Sequence, residues 1–85
     1  MSLQLLYFAC VREAIGIDGE TVDPPKDAGT VRTLVAWLAE RGGGYAEAFA
    51  NPERLRAAID QLFVPLDAPI AGACELALFP PVTGG

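Results

Sequence analysis

Thr30-Val31-Arg32-Thr33-Leu34-Val35-Ala36-Trp37-Leu38-Ala39-Glu40-Arg41-Gly42 reads as the one strong helix of this chain. Thr30 is a good N-cap, because its hydroxyl can accept from an otherwise orphan amide. Val31, Leu34, Val35 and Leu38 fall at i, i+3, i+4 and i+7, one apolar stripe with Trp37 at its edge. Arg41 is expected in the last turn, where a cation suits the dipole, and Gly42 supplies a left-handed stop.

Working outward, everything flanking this helix reads mostly as strand. Upstream, residues 3–9 alternate, with Leu3, Leu5 and Tyr7 on one face and Gln4, Leu6 and Phe8 on the other. A short helical turn over residues 11–15 and a turn at Ile17-Asp18-Gly19 lead to a second strand over residues 20–23, stopped by Pro24 and Pro25. Downstream, Gly42-Gly43-Gly44 lacks the preceding strand and following lysine of a phosphate-cradling loop, and is expected to be a flexible connection. A short helix over residues 45–50, a turn at Pro52, short strands over residues 55–59 and 62–64, and a turn-rich link over residues 65–69 follow. The last strand spans residues 75–79, ended by Pro80, which cannot donate to a ladder.

One main helix among four to five strands covers one face of a small mixed sheet, an α+β arrangement. That order fits a β-grasp (ubiquitin-like) domain over residues 1–79, with the first and last strands adjacent and parallel. Cys10 and Cys74 then lie at opposite edges of the sheet, too far apart to bridge. If Leu3, Leu5, Tyr7, Leu76 and Leu78 face the helix, the other face carries Leu6, Phe8, Ala77 and Phe79, with Phe63 alongside. Aromatics gathered on an uncovered face point to a protein interface.

Composition narrows the function. The 85 residues make one domain, 52% hydrophobic and 20% charged. Six basic and eleven acidic residues, without a basic cluster, argue against nucleic acid. No stretch is long and apolar enough to cross a bilayer, and no signal peptide is evident, so a cytoplasmic protein is expected. The absence of histidine and of any CxxC motif disfavours catalytic triads and zinc sites. No permanently bound cofactor is expected.

The informative stretch is Phe79-Pro80-Pro81-Val82-Thr83-Gly84-Gly85. Two terminal glycines lack Cβ atoms and can thread a narrow channel. Residues 80–85 are expected to be an extended, flexible tail reaching about 20 Å beyond the fold.

This ending, together with Tyr7-Phe8-Ala9-Cys10-Val11-Arg12-Glu13, resembles the small-subunit family of molybdopterin synthase, within the ubiquitin-like sulfur carriers. The resemblance covers the whole chain. It implies that an ATP-dependent adenylyltransferase activates the Gly85 carboxylate as a transient acyl-adenylate, and that a sulfur donor converts it to a thiocarboxylate. The tail would then enter the large, catalytic synthase subunit, in a heterotetramer, and pass sulfur to a cyclic pyranopterin monophosphate. The chain would not be catalytic alone. By the same resemblance, Gly84 and Gly85 are the working terminus, and Phe8, Phe63, Phe79, Pro80, Pro81, Val82 and Thr83 meet the partner. Two departures stand out: Ala73-Cys74-Glu75 where Gly-Asp-Glu is usual, and Asp60 where asparagine is common. A carrier for thiamine or cysteine synthesis, a ubiquitin-like protein modifier and a simple adapter are the alternative readings.

Overall fold

The computed structural model describes residues 2–81. Its strands are β1 (Leu3–Tyr7), β2 (Gly19–Val22), β3 (Arg56–Ile59), β4 (Leu62–Val64) and β5 (Glu75–Phe79). Its helices are α1 (Ala9–Ile15), α2 (Val31–Ala39) and α3 (Gly43–Ala48), and Pro52–Arg54 forms one 3-10 turn. The sheet order is β2-β1-β5-β3-β4. β1 and β5 run parallel at its centre, and the other pairings are antiparallel. This is the α+β, ubiquitin-like arrangement that the element order predicts. No helix among the described residues is long and apolar enough to cross a membrane.

The core is the meeting of two periodicities. Leu3, Leu5 and Tyr7 on β1 and Leu76 and Leu78 on β5 are buried, as the twofold alternation predicts. Val31, Leu34, Val35 and Leu38 of α2 are fully buried against them, each worth about 1.5–3 kcal/mol relative to an exposed side chain. Thr30 starts that helix with a reciprocal cap. Its hydroxyl accepts from the Thr33 amide at 3.2 Å, and its own amide donates to Thr33 Oγ1 at 2.9 Å. A threonine thus does at the third helical position what glutamate more often does.

The structure revises several local expectations. β1 stops at Tyr7 rather than Ala9, because Phe8 becomes the N-cap of α1 and its carbonyl accepts from Val11 at 3.1 Å. This winding carries Val11 into the core, where it is 1% exposed. α2 ends at Ala39, so Arg41 lies beyond the last turn rather than within it. The glycine run is not a slack connection. Gly42, at φ +77°, reverses the chain, and α3 begins immediately after it. At Gly44 a Cβ would sit 2.0 Å from the Ala14 carbonyl oxygen, so only glycine permits α3 to pack this closely on α1.

Asp60 and Gln61 both have positive φ, forming the tight two-residue reversal between β3 and β4. The Asp60 carboxylate also accepts from the Cys74 amide at 3.1 Å and the Glu75 amide at 2.9 Å. Asp60 therefore holds the start of β5 to this turn, and Ala73 is buried. Cys10 and Cys74 are exposed, free thiols near opposite ends of the central strand pair.

Replacing Gly44 by alanine is expected to destabilise the fold by about 1–3 kcal/mol, because backbone rather than a movable side chain meets the new methyl. Gly29→Ala, which meets nothing within 4 Å, is expected to stay within about 0.5 kcal/mol of the parent. Urea denaturation of both variants checks the contrast; equal midpoints would show that the α1–α3 contact does not demand a glycine.

Candidate functional site

The strand register lays out the face away from α2. Phe63 lies opposite Ala58, Ala58 opposite Ala77, and Ala77 opposite Leu6. Ladder partners point to the same side of a sheet, so these four form one row across four strands. Large residues stand at the ends and alanines in the middle, making a shallow trough. Phe79 and Arg56 form the next row towards the end of β5. Phe63 and Phe79 belong to strands separated by β3, yet their ring centroids are 5.7 Å apart. They meet because Ala58, on the strand between them, is too small to hold them off.

This face is unusually apolar for a surface. Phe63 is 83% exposed and Phe8, just past the end of β1, 44%. Phe63 and Phe79 line one hollow together with Arg56, Ala57 and Val64. Phe8 is not a strand residue; it caps α1 beside the end of β5, its amide donating to the Leu78 carbonyl at 3.2 Å. It lines a second hollow with Gln4, Leu6 and Arg12. Pro80 and Pro81 follow β5 and line a third with Cys10, Val11, Arg54 and Leu55. The structure thus joins Phe63 with Phe79 and sets Phe8 one strand away. Val82, Thr83, Gly84 and Gly85 lie outside the described residues.

One constellation escaped the sequence reading. Glu20 is opposite Leu5 in the β1–β2 pairing, so its side chain turns towards the helical face. There its Oε2 accepts from the Tyr7 hydroxyl at 2.8 Å and the Tyr45 hydroxyl at 2.6 Å, while Arg41 donates to Oε1 at 3.0 Å. The Arg41 guanidinium also lies 5.4 Å from the Trp37 ring centre and 4.9 Å from that of Tyr45. Burial pushes the Glu20 carboxyl upwards, but donation from Tyr45, Tyr7 and Arg41 outweighs it and holds the group below the usual range. Burial, reinforced by the carboxylate, drives the Tyr7 hydroxyl far above the ordinary tyrosine value. The signal was a charged residue at an inward-facing strand position. The carboxylate is fully engaged in ties between β1, β2 and the α2–α3 segment, which makes it a fastener rather than a catalyst. Among the described residues, no group of histidine, cysteine or carboxylate side chains could hold a metal ion.

The sequence and the fold of this chain both have known counterparts. The sequence pattern of the ThiS family matches residues 5–85. This chain belongs to the ThiS family. Among relatives, it is 37% identical over 83 residues to the molybdopterin synthase sulfur carrier subunit of Haemophilus influenzae, covering 98% of this chain and 99% of that protein. It is 39% identical over 83 residues to the subunit of the same description in Escherichia coli, with the same coverage. The crystal structure of SAMP1 from Haloferax volcanii superposes with a TM-score of 0.71 and 26% identity, over the whole of both chains. The ThiS match thus spans the aromatic face and runs to the terminal glycines.

The Glu20 cluster carries a pH signature. Because the folded carboxyl titrates below its ordinary value of 4.5, its contribution is present at neutral pH and is lost as pH falls through that range and below. For Tyr7 the sign reverses: a raised hydroxyl contributes fully below about pH 10 and is lost as alkali ionises the unfolded chain. Glu20→Gln is expected to lower stability at pH 7 by about 1–3 kcal/mol and to flatten the acid limb. Denaturant titrations from pH 3 to pH 7 test this; parallel curves for parent and variant would remove Glu20 from the account.

Proposed function

We propose that this chain is a sulfur carrier for molybdenum cofactor synthesis, acting as the small subunit of molybdopterin synthase. The observation that carries the proposal is near-full-length similarity to two sulfur carrier subunits of that synthase. The placement of the tail root supports it. β5 ends at Phe79 on the exposed aromatic face and Pro80 and Pro81 follow it, so one docking event can bury Phe63 and Phe79 beside the start of the tail.

In this reading the Gly85 carboxylate attacks the α-phosphorus of ATP on an activating enzyme, displacing pyrophosphate. A sulfide-level sulfur nucleophile from a donor then attacks the acyl carbon and expels AMP, leaving a thiocarboxylate. Activation is needed because a carboxylate is a poor electrophile, and AMP supplies the leaving group. The charged tail enters the large subunit, which supplies the catalytic side chains; its sulfur attacks the cyclic pyranopterin monophosphate, and water then cleaves the acyl–sulfur bond, leaving the sulfur on the pterin and regenerating the Gly85 carboxylate. Two transfers complete a dithiolene, and two carriers with two large subunits form the assembly. ATP is consumed on the partner, so the carrier needs no resident cofactor. Gly84 and Gly85 keep the terminus slim, and Pro80, Pro81, Val82 and Thr83 line its passage. The absence of histidine accords with chemistry performed by partners. Synthesis of this kind is placed in the cytoplasm.

The direct test is mass spectrometry of protein incubated with the activating enzyme, ATP and a sulfur source. The fragment following Arg56 lacks methionine, so oxidation at Met1 does not mimic the exchange of oxygen for sulfur. That fragment is expected to gain one such exchange, and an unchanged mass sinks the proposal. Deletion of the gene is expected to abolish molybdoenzyme activity; a thiamine or cysteine requirement instead would assign the carrier to another pathway.

The aromatic face gives a second test. Phe63 is largely exposed, so Phe63→Asp, which removes its ring contact with Phe79, is expected to lower stability by no more than about 1–2 kcal/mol and to leave the domain folded. Binding to the large subunit is expected to weaken at least tenfold, a loss of about 1.4 kcal/mol or more. Calorimetric titration reads the affinity; unchanged binding would move the interface elsewhere.

A further inference from the structure

The six basic side chains of this acidic chain divide into three groups. Arg32 is paired with Glu53 at 2.6 Å and Asp67 at 3.0 Å, and Arg41 with Glu20 at 3.0 Å. Lys26 follows β2, at the end of the sheet where Leu3 lies opposite Val22. Arg12, Arg54 and Arg56 remain, and among the described residues no carboxylate forms an ion pair with any of them.

All three stand around the root of the tail. Arg56 lies opposite Phe79 and shares the hollow of Phe63 and Phe79. Its Nη1 donates only to the backbone carbonyls of Leu55 at 2.9 Å and Glu53 at 3.4 Å. Arg54 shares the hollow of Pro80 and Pro81, with Glu47 on the same wall. Arg12 shares the hollow of Phe8 and Leu6, with Asp18 also on its lining. The opposite end of the sheet carries more carboxylates than cations, with Lys26 its one basic side chain. Glu75 starts β5, Asp60 is bonded to that start, and Asp23 follows β2. A chain with a net charge of −5 therefore presents its unpaired arginines at one pole, around its apolar docking face.

We infer that Arg12, Arg54 and Arg56 form a cationic collar that steers the chain, tail first, onto a protein surface with carboxylates rimming an apolar cleft. The inference rests on the functional reading above and takes the large synthase subunit as that surface. Long-range attraction of this kind acts on the encounter rate, and salt weakens it. The apolar contacts hold the complex once formed, and the collar orients the approach. The polarity of the carrier adds to the effect, since its acidic pole is repelled from the same surface. Arginine suits the task because its guanidinium stays charged and meets carboxylates through paired donors.

The test is stopped-flow association with the large subunit across a range of ionic strength. Arg12→Glu, Arg54→Glu and Arg56→Glu combined are expected to slow association at least tenfold at low salt, with rates converging on the parent's at high salt. The three glutamine replacements are expected to give a smaller decrease in the same direction, and Lys26→Glu, at the other pole, little change. Circular dichroism confirms that each variant is folded. A parent that binds with a salt-independent rate, or a reversed collar that binds as fast as the parent, overturns the collar and leaves the sulfur-carrier reading intact. A parent that does not bind the large subunit at all overturns both.

Discussion

The parallel pairing of β1 with β5 is the constraint on which the rest of the molecule depends. It brings residues more than seventy positions apart in sequence into one ladder at the centre of the sheet, with Leu5 opposite Leu76 and Tyr7 opposite Leu78. Those side chains supply the floor on which α2 lies. A parallel pair needs a crossover, and α2 with its connections is that crossover. Because both strands run the same way, the chain leaves β5 at the end where Phe8 leaves β1. The position of the tail root is thus a consequence of core topology.

That end of the sheet needs its own fastening, since only short helices cover it. α1 contributes Val11, α3 hands on to Phe49, and the Phe49 ring lies 6.4 Å from that of Tyr7. Gly44 removes the methyl that would separate α3 from α1. Glu20 then ties β2 to Tyr7, Tyr45 and Arg41. A partly buried carboxylate is tolerated there because several donors replace the water it gave up. The cluster holds the ground beneath the tail root without taking part in chemistry.

A division of labour follows between the two faces of the sheet. The inner face is packed to stability by α2, whereas the outer face leaves Phe63 and Phe79 open, a cost that a lone domain has no reason to bear. An uncovered aromatic pair, with the end of β5 beside it and arginines that form no ion pair among the described residues around both, is the surface that the functional reading gives to a partner.

The sequence alone determined the periodic elements and the character of the terminus. The stripe from Val31 to Leu38, the alternation in β1 and β5 and the proline stop after Phe79 are local patterns, and local patterns survive without knowledge of contacts. The Phe-Pro-Pro-Val-Thr-Gly-Gly ending and the element order likewise pointed to the family without coordinates. Tertiary structure decided what depends on distant neighbours. Gly44 looked like slack because only the approach of Ala14 reveals its purpose. Glu20 was only the first residue of an expected strand until β2 registered against β1 and turned it inward. Arg41 left the helix end for that carboxylate, and Phe8 left the strand because Val11 had to reach the core. The meeting of Phe63 with Phe79 over Ala58, and of three arginines around one pole, arises from pairing between strands and loops far apart in the chain. Side-chain pattern specifies which face is apolar; only the closed sheet specifies which residues share it.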